Sequence, residues 1–347
     1  MALSGLISRL KGIYTFEKLR HKAEKYVKRE EYLIDENTEF LVYVPATDYY
    51  YLPYYQLYRY KNVHVRFSYI NSNELILKTM RKISSNLVYK RYTKQKYEPN
   101  KKYVVFFDGQ YSLCSEGFKA YLQNKYPGCK LIFHLGDLLS THKNIHIEEI
   151  KQFSDLVVTY DHNDADANGL TYHSDPYSIL PSGLLNVPKE KSHMIFYGYA
   201  KDRANTLLKI YDRMKESGLR CDFGIPDLKE EDCLNRPELA DAQFTPYLDY
   251  LGKVQSSDCI LEIIQGGSRG CTFRTWEAVV YNKKLVTNNQ SVKEEVFYNP
   301  DYIQVIDSFD SLDLNWLKKD VRVNYQFAEQ LSPKACFEFY LKCLNNC

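Results

Sequence analysis

Apolar residues gather along this chain in short, nearly unbroken runs: FLVYVP (40–45), VHVRFSYI (63–70), YVVFFDG (103–109), KLIFHL (130–135) and DLVVTYD (155–161). Each is rich in Val, Ile, Phe and Tyr and too short for a helix, so each predicts a strand. The apolar positions are consecutive rather than alternating, which requires burial on both faces and hence a parallel sheet between layers of helices. Helical spacing fills the gaps, as at Glu74–Asn86 and Glu116–Tyr126. The rhythm stops at 171–192, TYHSDPYSILPSGLLNVPKEKS, where three prolines and several turn residues predict a linker. It resumes with MIFYGYA (194–200), a helix over Arg203–Ser217, LRCDFGI (219–225), a helix around Pro246–Ser256, CILEIIQ (259–265), a helix opening near Thr272, KLVTNN (284–289) and YIQVI (302–306). A last helix is expected over Pro333–Leu344.

The pattern therefore predicts an α/β protein of two Rossmann-like, doubly wound domains facing a cleft, at 36–180 and 190–320, and 347 residues suffice for two cores. Residues 321–347 are expected to carry the closing helix back onto the first domain. Residues 1–35 set Leu3, Leu6, Ile7, Leu10, Ile13 and Tyr14 at helical spacing among Arg9, Lys11, Lys18, Arg20, Lys22, Lys25 and Lys28. Such a basic amphipathic helix either packs one face on the domain or lies on an anionic membrane surface.

Charge narrows the choice of partner. With 46 basic and 44 acidic residues the net charge is +2, without the basic excess that nucleic-acid binding demands. No run of 18 uncharged apolar residues appears, and the amino-terminal stretch lacks a signal-peptide core, so a cytoplasmic protein is expected, peripheral at the inner membrane face if 1–35 binds there. Nine cysteines without a Cys-x-x-Cys pair fit reduced thiols, with no metal expected.

In open parallel sheets ligands bind beyond the carboxyl ends of the strands. The densest chemistry there is GGSRGCTFRTWEA (266–278), a glycine loop between a strand ending at Gln265 and a helix beginning at Thr272. Amides at a helix start carry partial positive charge, glycines allow close approach, and Arg269 and Arg274 can add bidentate contacts, so the loop predicts an anion site. It has neither the Gly-Lys-Ser/Thr of a Walker loop nor a Gly-x-Gly-x-x-Gly fingerprint. Glu277, about one and a half turns in, is either a hydrogen-bond acceptor for a ribose diol or a solvated helix glutamate. FYGYAKDRANTLLKIY (196–211) repeats the pattern, with Gly198 followed by Lys201 and Arg203 as either diphosphate ligands or exposed loop charges.

This succession, with PYLDYLGKVQSSDCILEIIQ between the two loops, resembles the donor domain of GT-B glycosyltransferases, above all the bacterial ones that build capsule, lipopolysaccharide and related surface glycans. The resemblance covers roughly residues 100–310. It implies that Glu277 of RTWEA binds the ribose of a nucleotide sugar and that Gln265, Gly267, Ser268, Gly270, Thr272 and Arg274 lie near sugar and diphosphate. Gly198, Lys201 and Arg203 would contact the diphosphate. It further implies transfer of a sugar from a nucleoside-diphosphate donor to a glycan or lipid-linked glycan, with no cofactor beyond that co-substrate and no metal. Arg269 stands where retaining members carry a carboxylate, a departure from a retaining mechanism.

An inverting reaction needs a base from the first domain. Asp48, Asp108, His134 and Asp137 all follow or end strands, and Asp108 is favoured because it ends the most apolar run; its alternative is a cap on the following GQYS turn. Asp164 and Asp166 of DADAN read as turn and cap residues, and His142, His146 and His162 as loop histidines. Among 32 tyrosines, seven lie in Tyr49–Tyr60, placed to stack on acceptor sugars or to pack half-buried. Two other functions compete: a glycan- or nucleotide-binding module without turnover, and an RNA-binding protein, which the near-neutral charge opposes.

Overall fold

A computed structural model describes residues 14–68, 89–90, 93–141, 146–240, 244–264, 266 and 268–346. Residues 1–13, the expected helix Glu74–Asn86, His142, Gln265 and Gly267 lie outside the described residues.

The chain forms two α/β units. The first takes the described residues up to Tyr160, Asp164–Ser178 and those from Ser332 on; the second takes Asp161–Asn163 and Ile179–Leu331. The first sheet is built from β1 (Thr38–Pro45), β2 (Val63–Ser68), β3 (Lys102–Asp108), β4 (Lys130–Leu135), β5 (Leu156–Thr159) and β6 (Thr171–Tyr172) in the order β2-β1-β3-β4-β5-β6, with every pairing parallel. The second orders β7 (Met194–Tyr197), β8 (Cys221–Gly224), β9 (Cys259–Glu262), β10 (Lys284–Thr287) and β11 (Ile303–Val305) as β11-β10-β9-β7-β8, again all parallel. Every expected strand is present. β6 was not expected: it is two residues long and lies inside the stretch read as a linker, where no apolar run announces it.

Helical segments connect them: α1 (14–24), α2 (Asp48–Tyr51), α3 (Glu116–Lys125), α4 (Ile147–Phe153), α5 (His162–Asn168), α6 (Ala204–Glu216), α7 (Glu230–Cys233), α8 (Tyr247–Gln255), α9 (Phe273–Val280), α10 (Leu314–Lys318) and α11 (Pro333–Asn346). Ser115 caps α3 by accepting from the Phe118 amide, and Thr272 caps α9 by accepting from Arg274. α11 belongs to the first unit, where Phe337 packs edge-on against Phe40 and Tyr340 stacks on Phe106. The opposite face of that sheet, with Leu41, Tyr43, Val105, Phe107 and Phe133, is covered by Phe118 and Leu122 of α3 and Phe153 of α4. The segment expected to return begins at Ser332 rather than 321, since residues through Leu331 stay with the second unit.

Two sequence expectations change. α1 is fixed to the first unit through Phe16, which meets Phe67 at 4.8 Å and Tyr51 at 5.8 Å, while Tyr14, expected on its apolar side, is 71% exposed. The tyrosine cluster is mainly core. α2 runs into a 3-10 helix over Leu52–Arg59, and Tyr51, Tyr54, Tyr55, Tyr58 and Tyr60 are all buried, leaving Tyr49 exposed and Tyr50 half-buried. Within the 3-10 helix Leu52, Tyr55 and Tyr58 form one row of period three and Tyr54 and Leu57 another, and both rows are buried.

Candidate functional site

In the second unit the carboxyl ends of β7 and β9 are shaped around two arginines. Arg274, at the start of α9, lays its guanidinium over the Phe196 ring at 4.9 Å and donates through Nη2 to the Tyr197 carbonyl at 2.6 Å. Its Nε is buried and has no hydrogen-bond partner among the described residues. Gly198 makes this geometry sterically available: its φ is +146°, and a Cβ there would meet Arg274 Nη2 at 2.5 Å. Arg203 lies close by, donating from Nε to the Ala200 carbonyl, from Nη1 to Ile263 and from Nη2 to Tyr199. Burial lowers its pKa, and the charge of Arg274 lowers it further. Arg203 is therefore committed to backbone carbonyls, whereas Arg274 keeps a buried donor unspent among the described residues.

In both loops the backbone amides donate to an internal carboxylate. Asp227 accepts from the Ala200 amide at 2.6 Å and the Lys201 amide at 3.0 Å, so its oxygens sit where phosphate oxygens were expected. Lys201 itself is exposed, with φ +52°, a left-handed backbone that costs a non-glycine residue about 1 kcal/mol. In the glycine loop, Asp161 accepts from the Arg269 amide at 2.6 Å and the Ser268 hydroxyl at 3.0 Å. Gly270 pairs with Asp161 in a short bridge and gives its carbonyl to Asn289. The Arg269 side chain points instead to Glu294, 3.3 Å away at the surface.

Two buried glutamates lie here, Glu262 at the end of β9 and Glu277 within α9. Glu262, the last residue of β9, is 1% exposed and accepts from three threonine hydroxyls: Thr272 at 2.6 Å, Thr275 at 2.9 Å and Thr287 at 2.6 Å. Glu277 is 1% exposed too, so the solvated reading is wrong: it lies in α9 within a stretch, Thr275 to Val280, that is buried throughout. Oε1 accepts from Tyr247 at 2.7 Å and Oε2 from Tyr250 at 2.5 Å. Each oxygen thus keeps one lone-pair direction for a further donor. Burial is the dominant influence on its pKa and, against the two phenols and Arg274, pushes it up to about 7.

In the first unit the named base candidates separate. Asp48 starts α2 and caps its own next amide, at Tyr49. Asp108 and His134 are register partners across β3 and β4, joined by a 2.8 Å contact between Nδ1 and Asp108 Oδ1. The carboxylate of Asp108 therefore does not cap the GQYS turn; the Gln110 side chain reaches its backbone carbonyl instead. His134 Nε2 stands 3.0 Å from Asp175 Oδ1, off the line of a good hydrogen bond. Burial by itself would lower the histidine pKa, but the contacts to Asp108 and Asp175 prevail and push it up to about 10. The raised pKa favours the doubly protonated ring, which offers donors rather than a base. Asp164 and Asp166 lie within α5 rather than in a turn, because HNDADAN continues as helix; Asp164 accepts from the Leu139 amide. His162 begins α5, and His146 precedes α4 as its cap residue.

The residues missed are Asp161, Asp175, Asp227, Glu262, Tyr247 and Tyr250. PYLDYL carried a signal for the two tyrosines, since their spacing of three puts both on one helical face. The aspartates gave none, as their partners are distant in sequence: loop amides for Asp161 and Asp227, and His134 of β4 for Asp175.

No family model matches the chain, and no curated protein matches it. Among solved structures it is similar to an alpha-glucosyltransferase in complex with UDP-glucose and DNA containing an abasic site, with TM-score 0.47 and 11% identity over 89% of this chain and 99% of that one. It is similar also to the glycosyltransferase SnogD from Streptomyces nogalater, with TM-score 0.44 and 12% identity over 89% and 99%. A third is the GtfA/B complex, at TM-score 0.38 and 12% identity over 81% of this chain and 62% of that chain, so this protein spans less than two thirds of it. The eight described cysteines are free, no group of ligating residues among the described ones could hold a metal ion, and no described helix is long and apolar enough to cross a membrane.

Proposed function

We propose that this protein is a glycosyltransferase of bacterial surface-polysaccharide assembly, moving a sugar from a nucleoside-diphosphate donor to a glycan or lipid-linked glycan without a metal. The observation that carries the reading is Arg274. A buried N–H without a partner costs about 1–3 kcal/mol, and an anion beside Nε recovers that cost. The adjacent loops bind carboxylates through backbone amides, which is the chemistry a diphosphate would use in their place. Arg274 then meets the charge that develops on the leaving diphosphate, and Glu277 has one lone-pair direction per oxygen for the ribose. Arg269 in place of a carboxylate supports inversion, with Asp108 on the acceptor side as the base.

The test is a thermal-shift panel of UDP, GDP, CDP and ADP, followed by donor hydrolysis. One diphosphate should raise the Tm of the wild type and do so much less for Arg274→Lys, which cannot present the same planar fork. If none raises it, the reading fails. The closure of both loops on internal carboxylates favours a second reading, a nucleotide- or glycan-binding protein without turnover. Stabilisation without hydrolysis or transfer would select it.

On the first reading the protein works in the cytoplasm against the inner membrane face. The exposed Lys18, His21, Lys22 and Lys25 share one side of α1 and its following turn, between exposed Tyr14 and Tyr26. Sedimentation with anionic but not neutral vesicles, lost when 1–35 is removed, is the expected result.

A further inference from the structure

Asp108, His134 and Asp175 form a charged row inside the first unit that the donor chemistry does not use. All three are buried, with exposures of 3%, 2% and 6%. Two carboxylates beside a neutral imidazole would leave two uncompensated charges in a dry interior, whereas a ring carrying both protons leaves one. Nδ1–H then donates to Asp108 Oδ1 at 2.8 Å, while Nε2 lies 3.0 Å from Asp175 Oδ1 as an ion pair off the line of a good hydrogen bond. Among the described residues the ring meets Asp108 through Oδ1. One oxygen of Asp108 is thus spent on the ring and the other is left for chemistry.

We propose that Asp175 is a positioning residue: through the His134 imidazolium it fixes the Asp108 carboxylate so that Oδ2 is the atom that takes the acceptor hydroxyl proton. The inference rests on the glycosyl-transfer reading. In that step the acceptor O–H bond breaks and its proton passes to Oδ2, while the acceptor oxygen bonds to the anomeric carbon. The diphosphate departs with the electron pair of the carbon–oxygen bond it loses.

Other titratable groups face this row. Tyr50, Tyr54 and Tyr111 surround Asp108, Cys336 and Tyr340 approach from α11, and burial raises the pKa of all five, so they stay neutral. Burial lowers His173, which feels the charge of His134. Asp137 completes the set. Burial raises the Asp175 pKa and the His134 charge opposes it, so an ionised Asp175 depends on His134 for its cation.

The experiment is Asp175→Asn in the full chain, read twice. Imidazole N–H resonances report the ring without substrate: the wild type should keep both His134 ring protons from pH 6 to about 8.5, and Asp175→Asn should lose one within that window. With the donor identified by the diphosphate panel, kcat should fall roughly 10- to 100-fold while the donor KM moves less than about threefold, a fraction of what a general base supplies. Asp175→Glu should retain both ring protons and most of kcat. An unchanged kcat in Asp175→Asn, or a ring that keeps both protons there, overturns the proposal. Should that variant not fold, a folded Asp175→Glu that keeps both ring protons yet loses kcat as severely overturns it. No turnover by the wild type with any donor sinks the glycosyl-transfer reading, and the base role with it. Wild-type turnover with an indifferent Asp175→Asn sinks only the positioning role.

Discussion

The two units share an all-parallel architecture and invert the charge at its carboxyl edge. In the second, backbone amides hold the carboxylates of Asp227 and Asp161 in the loops, and Arg274 stands over Phe196. In the first, carboxylates surround a cation, with His134 between Asp108 and Asp175. The same backbone plan thus presents donors on one unit and acceptors on the other. Strand direction and helix termini are alike in both, so the difference comes from a few side chains and not from topology.

The comparison breaks most visibly at Glu262. Glu262→Ala strips three threonine hydroxyls of their shared acceptor and opens a cavity, and should cost about 3–5 kcal/mol in urea unfolding. A loss below about 1 kcal/mol would show that β9 does not depend on this carboxylate.

Glu277 comes next, and its effect depends on pH. A glutamate lifted from 4.5 to about 7 binds its proton more tightly in the folded protein. Its stabilising contribution is complete below pH 4.5 and disappears as pH rises through about 7, a swing on the order of 3 kcal/mol. Glu277→Gln should flatten that slope, so the mutant gains on the wild type between pH 5.5 and 8.5 in paired thermal melts. Parallel curves would mean that Glu277 is not held protonated by burial.

Smaller effects sharpen the anion side. Removing either stand-in carboxylate, in Asp227→Ala or Asp161→Ala, should cost about 1–2 kcal/mol. Added inorganic phosphate should then raise the Tm of each variant more than that of the wild type. Equal phosphate responses would argue that the amides are ordinary caps. At the bottom of the scale, Tyr51→Phe removes a buried hydroxyl without a hydrogen-bond partner among the described residues, and should leave the Tm unchanged or raise it slightly.

The strands were readable because continuous apolar runs such as YVVFFD can be satisfied only inside a parallel sheet. The start of α9 was readable because Thr272 is a capping residue before a buried helical face. The candidate site was readable in part. Gly198, Arg203 and Arg274 do come together, and Asp108 with His134 does stand at the end of β3 and β4. The occupants of the loops were not readable, because Asp161 and Asp227 act through backbone amides that belong to no motif. The tyrosines misled for a related reason: a ring with a polar tip suits a wet platform and a core alike.

The place of α11 bears on how the protein is made. Phe337 and Tyr340 cover Phe40 and Phe106 of the first sheet, yet a ribosome emits them only after the whole second unit. Until then a nascent first unit would show an aromatic sheet face to solvent, a surface prone to association. Its contacts span nearly the full sequence, so closing them is a slow, late event. A chain stopped before Ser332 should consequently yield a second unit that folds and a first unit that demands a chaperone.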